Sequence, residues 1–240
     1  MSSSDSIHQI IDQLKGGIVV SVQADGGEPL NNPDTLTAMA CSALDGGAVG
    51  IRMAQVENIR RFKAACPSIP VIGIIKPIKI PENAKELVYI TPTWQDVAAL
   101  CNAKCEIVAI DATSRPRPGS QKLAVIVAEA RKNYPDVCLM ADISTTQEAE
   151  GAEALGFDFI STTLSGYTIE TSETAPEGPD FDLLKTLTST LSTPIILEGR
   201  IWHPTEVCKA FELGAHAVVI GSAVTRPHHI TRRFVEAAYH

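Results

Sequence analysis

Short apolar runs rich in Val and Ile, each bounded by Gly, Pro or Asp, recur along the whole chain. In order they are GGIVVSVQ from Gly16, AVGIRM from Ala48, VIGIIK from Val71, IVAIDA from Ile107, VCLMADI from Val137, FDFISTTL from Phe157, PIILEGR from Pro194 and AVVIGSA from Ala217. Hydrophobicity within them is continuous rather than alternating. That marks strands covered on both faces, as in a parallel sheet wrapped by helices. Between the runs, apolar residues recur at helical spacing over Asn32 to Leu44, Trp94 to Asn102, Lys122 to Asn133 and Thr205 to Leu213. These segments begin with Pro33-Asp34 or follow Thr93, Ser120 and His203-Pro204, which are helix-start signals. The stretches L-D-G-G-A at Leu44, A-L-G-F-D at Ala154 and E-L-G-A-H at Glu212 read as helices ending at glycine just before a strand. Ser6 to Leu14 predicts a short helix plugging the bottom of the barrel, and Ile230 to Ala238 predicts a C-terminal helix. Eight βα units without a composition break or a G-x-G-x-x-G turn predict one closed (β/α)8 barrel, a single domain over residues 1–240.

In a barrel enzyme the chemistry gathers where the strands end, on the C-terminal rim. The polar residues closing the strands are Gln23, Arg52, Lys76, Asp111, Asp142, Thr162 with Thr163, Glu198 with Arg200, and Ser222. Any one of them alone reads equally well as a helix cap or a solvated strand end. Lys76 is the sharpest, because it directly follows Val-Ile-Gly-Ile-Ile and precedes Pro77. A desolvated, cation-flanked amine can serve as a base, whereas a snorkelling lysine would only lay its stem on apolar surface. Glu198 projects a carboxylate after Ile-Ile-Leu; the alternative is an ion pair with Arg200 across a bend at Gly199. Barrels often bind phosphate after strands seven and eight, where Gly199, Gly221 and Ser222 would let an anion approach the main chain and Arg226 would add a charge.

Composition narrows the partners. A formal net charge of −8 over 240 residues argues against nucleic-acid or anionic-membrane surfaces, so phosphate must be held locally. No apolar run reaches the roughly 18 to 20 residues of a membrane span, and Met1 to Asp5 lacks the basic start of a signal peptide. A cytoplasmic location is expected. The six cysteines are scattered and expected to be free thiols; Cys101 and Cys105 lack companions at zinc spacing, so neither a metal nor another cofactor is expected.

Ten motifs in order extend these strand ends over nearly the whole chain: GGIVVSVQ with GEPL at Gly27, GGAVGIR at Gly46, PVIGIIK at Pro70, VYITPT at Val88, IDATSRPRP at Ile110, MADIST at Met140, TTLSGYT at Thr162, PEGPDF at Pro176, LEGRI at Leu197 and VIGSAVTRP at Val219. With them the chain closely resembles the N-acylglucosamine-6-phosphate 2-epimerase family of sialic acid catabolism. The resemblance implies a metal-free barrel that interconverts N-acetylmannosamine 6-phosphate and N-acetylglucosamine 6-phosphate, and a homodimer. It implies Lys76 as the proton-transfer residue and Glu198 as its partner carboxylate. Gln23, Arg52 and Asp142 would position the sugar and its acetamide, while Gly199, Arg200, Gly221, Ser222 and Arg226 would hold the phosphate or lie beside it. Two places depart from the family pattern: the segment Pro77 to Leu87, with two further lysines, and Trp202-His203 after the EGR motif. A phosphosugar aldolase using Lys76 as a Schiff base, and a non-catalytic phosphosugar sensor, are the alternatives.

Overall fold

The computed structural model describes residues 3–239. Eight parallel strands close into a barrel in sequence order, as the apolar runs predict. They are β1 (Ile18–Val22), β2 (Gly50–Ala54), β3 (Val71–Ile74), β4 (Ile107–Asp111), β5 (Cys138–Asp142), β6 (Phe159–Ser161), β7 (Ile195–Glu198) and β8 (Ala217–Ile220). Closure comes from β8 pairing with β1, with Val219 opposite Val19. The helices are α1 (Ser3–Leu14), α2 (Pro33–Asp45), α3 (Val56–Ala65), α4 (Trp94–Asn102), α5 (Leu123–Asn133), α6 (Thr146–Ala154), α7 (Ile169–Ser172), α8 (Phe181–Thr190), α9 (Pro204–Glu212), α10 (Ser222–Thr225) and α11 (Pro227–Ala238). Gly47, Gly156 and Gly214 all take positive φ at the predicted helix-to-strand turns.

Strand side chains alternate between two faces, so the barrel has two apolar layers. Outward residues such as Val20, Ile51, Val108 and Leu139 pack under the helices. Inward residues, among them Val19, Ile72, Ile107, Met140, Phe159 and Ile196, fill the barrel itself. From α1, Ile7, Ile10, Ile11 and Leu14 join the inner layer, so the helix stoppers the N-terminal end. A bond of 2.8 Å between His216 Nε2 and the Ile11 carbonyl fixes it there.

The inward parity carries past the apolar layer to the rim. Continuing every second residue from that layer arrives at Ser21 and Gln23, Arg52, Lys76, Asp111, Asp142, Thr163 and Glu198. One periodicity therefore builds both floor and site. Leu14→Ala, which empties a fully buried position in the stopper, is expected to cost about 3 kcal/mol in urea denaturation.

Candidate active site

Arg52 lies at the centre of the rim with its side chain 1% exposed. It grips Asp142 with two bonds, Nη2 to Oδ2 at 2.6 Å and Nη1 to Oδ1 at 3.1 Å, and reaches Glu198 Oε2 from Nη1 at 2.9 Å. Burial works against its charge, but the Asp142 and Glu198 carboxylates outweigh that and hold the guanidinium above its ordinary range. Glu198 is under the opposite pressure. Its carboxyl is pushed up to about 7, by burial first and against the pull of Arg52, with the Asp142 charge adding to the rise. Thr163 Oγ1 stands between the two acids, 2.8 Å from Asp142 Oδ1 and 3.1 Å from Glu198 Oε2, with Ser161 Oγ at 2.9 Å. The pairing of Glu198 with Arg200 left open by the sequence does not form. Gly199 at φ 114 and Arg200 at φ 57 turn the chain outward, and Arg200 donates to the carbonyls of Gly178 and Ser165.

Lys76 follows β3, which pairs with the Arg52 strand β2 and lies across the barrel from β7, and its backbone is held from two sides. Gln55 Nε2 donates to the Lys76 carbonyl at 2.5 Å, and Thr91 bonds Ile75 through both its N–H and its hydroxyl. Both Gln55 and Thr91 have positive φ, a strained state for residues with a Cβ. Lys76 Nζ donates to Asp25 Oδ1 at 2.8 Å. Arg226 bridges Asp25 Oδ2 at 3.3 Å and Glu28 at 2.5 Å, continuing the chain of charges. Burial opposes it, yet these two cations together hold the Asp25 carboxyl below its usual value. The loop carrying Asp25 comes this close because Gly26 has no side chain. A Cβ there would collide with Ile78 and stand 3.0 Å from its carbonyl oxygen.

These walls enclose a cavity of about 480 Å³, in the range that takes a small-molecule ligand. Gln23, Arg52, Lys76, Glu198, Gly199, Arg200, Gly221, Ser222 and Arg226 all border it. Asp142 does not: it lies behind Arg52, fully buried, with its oxygens taken by Arg52 and Thr163. Asp111 is also withdrawn. Arg115 and Thr113 engage it, and burial pushes its carboxyl up to about 6. The segment Pro77 to Leu87 arches at the rim and brings Ile80 to the cavity. It is tied by Ile78 O to Gly26 N, Ala84 O to Arg115 and Lys85 O to Ile169 N. Asp25, Glu28, Tyr89, Tyr167 and His229 were not singled out from sequence. The two acids lie within five residues of Gln23, and that proximity was the available signal.

A closed (β/α)8 barrel with a lysine, a buried acid and a fixed guanidinium facing one rim cavity defines a barrel enzyme for proton-transfer chemistry on a small polar molecule. Residues 36–240 match the family described as "Putative N-acetylmannosamine-6-phosphate epimerase". The chain belongs to that N-acetylmannosamine-6-phosphate 2-epimerase family. A relative of that name from Caldanaerobacter subterraneus is 50% identical over 226 residues, covering 94% of this chain and 92% of the relative. One from Enterobacter sp. is 43% identical, covering 95% of each. The solved N-acetylmannosamine-6-phosphate 2-epimerase from Clostridium perfringens is 41% identical with a TM-score of 0.87, covering 95% of this chain and 96% of that one.

Arg52→Met would leave two carboxylates facing each other in the barrel. A loss of about 3–5 kcal/mol at about pH 8 is expected by urea denaturation. The loss should shrink at about pH 5, where Glu198, its carboxyl pushed up to about 7 by burial, carries a proton and no longer repels Asp142.

Proposed function

We propose that this enzyme interconverts N-acetylmannosamine 6-phosphate and N-acetylglucosamine 6-phosphate by removing and returning the proton on carbon 2. Carbon 2 of the open-chain sugar adjoins an aldehyde, so its C–H is acidic enough for a positioned base. Lys76, in its neutral form after giving one ammonium proton to water, takes the carbon 2 proton on Nζ, leaving an enolate, and delivery of a proton to the other face gives the epimer. Glu198, protonated near neutral pH, opens the sugar ring or returns a proton. The observation that carries this reading is the placement of Lys76 and Glu198 on one cavity with the Arg52 guanidinium between their strands.

Arg52 keeps its charge at the cavity wall, where it stabilises an enolate oxygen. Gln23 borders the same wall. For the phosphate we favour the side formed by Gly199, Gly221, Ser222 and Arg226, since the first amides of a helix have no partner within it. Arg200 borders the cavity with its guanidinium held by the Gly178 and Ser165 carbonyls, and Asp142 acts by orienting Arg52 rather than by touching the sugar. A phosphorylated substrate cannot leave through a membrane, which favours the cytoplasm as the location.

We further take the enzyme as a homodimer joined through α11. That helix has no fully buried residue and presents Phe234 at 75% exposure, with Tyr239 just beyond its end at 84%. Equilibrium sedimentation should give the mass of two chains, falling to one in Phe234→Asp; a wild-type mass of one chain would contradict the dimer.

In heavy water, proton NMR of N-acetylmannosamine 6-phosphate should show deuterium entering carbon 2. Lys76→Ala should lose both exchange and turnover by about 10²–10⁴-fold, and retained exchange at the normal rate would sink the assignment. Turnover of the wild type should decline above about pH 7 as Glu198 gives up its proton.

A further inference from the structure

The hydroxyl of Thr163 makes three oxygen contacts, with Asp142 Oδ1 at 2.8 Å, Ser161 Oγ at 2.9 Å and Glu198 Oε2 at 3.1 Å. Each contact needs one proton between its two oxygens. Thr163 brings one and Ser161 brings one, because a hydroxyl carries a single hydrogen. The third must come from a carboxyl group. Asp142 is not the source, since Arg52 holds it by two bonds in the geometry of an ionised carboxylate. Glu198 meets Arg52 through only one nitrogen.

We propose that Thr163 stores a proton on Glu198: its hydroxyl donates to Asp142 and accepts from the protonated Oε2 of Glu198. Ser161 fills the remaining lone pair. The inference deepens the function proposed above by assigning how its acid is kept loaded. When Glu198 passes the proton to the substrate, its Oε2–H bond breaks and the new bond forms on the sugar. The carboxylate left behind keeps Arg52 at 2.9 Å, and the Thr163 O–H swings from Asp142 to Glu198 without breaking. Asp142 loses one hydrogen bond at that moment and retains both bonds to Arg52. Thr163 is thus a positioning residue, acting through Glu198. Charged groups facing Glu198 are Arg52 and Asp142, with Lys76 and Arg226 elsewhere on the cavity wall; Arg200, next but one in sequence, is directed to Gly178 and Ser165.

Infrared titration of the substrate-free enzyme tests this without relying on turnover. Wild type should show, just below neutral pH, the carbonyl band of a protonated carboxyl that Glu198→Gln removes; the latter variant separates it from buried Asp111. Thr163→Val keeps the side-chain shape and deletes the hydroxyl, and should lower the midpoint of that band by about one pH unit, a tenfold change in proton affinity. Thr163→Ser should restore it. If Thr163 instead donated to an ionised Glu198, Thr163→Val would raise the midpoint. A raised or unchanged midpoint, or no such band in wild type, overturns the proposal. Full turnover by Glu198→Gln would sink the proton delivery together with the functional reading, whereas the titration judges the hydrogen bonds separately.

Discussion

The organisation of the rim depends on one buried cation. Arg52 is nearly excluded from water, and an unpaired guanidinium there would be heavily penalised. Two carboxylates from β5 and β7 compensate it, one through a two-pronged contact that a lysine could not form. Three strands are thereby fixed relative to one another at the level of the chemistry. The cost falls unevenly on the two acids. Asp142 receives most of the guanidinium, so Glu198 is left as the member with affinity for a proton.

Lys76 is placed by a different device. Its strand ends at Ile74, two residues earlier, so the sheet no longer determines where the amine goes. The conformations of Gln55 and Thr91, unfavourable in isolation, secure residues 75 and 76 from the neighbouring loops. Such strain persists only where surrounding contacts enforce it, and at Gln55 and Thr91 those contacts hold the backbone that carries the proposed base. Gly26 completes the arrangement by letting the loop after β1 deliver Asp25 to the amine.

Much of this was legible in the sequence, for identifiable reasons. All eight strands announced themselves because burial on both faces demands unbroken apolar runs. The capped helices α2 and α4 were equally readable. α3 was not, since its first turn follows Gln55 at positive φ without a side-chain cap. α6 carried a readable capping box, Thr145 with Glu148, but little apolar periodicity beside it. Rim residues were legible as strand ends, and inward parity would have ordered them further. Pairing was not legible: that Glu198 faces Arg52 rather than Arg200 depends on backbone rotation at Gly199 and on strands distant in sequence. The same holds for Asp142 standing behind Arg52, and for Asp25 and Glu28, whose importance comes from cations 51 and 198 residues away.

The stopper formed by α1 has a consequence at the other end of the molecule. A vessel sealed at its base has a single mouth, so both epimers must arrive and depart by the same route. Nothing in such an architecture distinguishes forward from reverse traffic, and a catalyst cannot bias an equilibrium. The direction of flow through this protein is therefore a property of the surrounding concentrations, with the barrel acting as a neutral exchange point between two sugars.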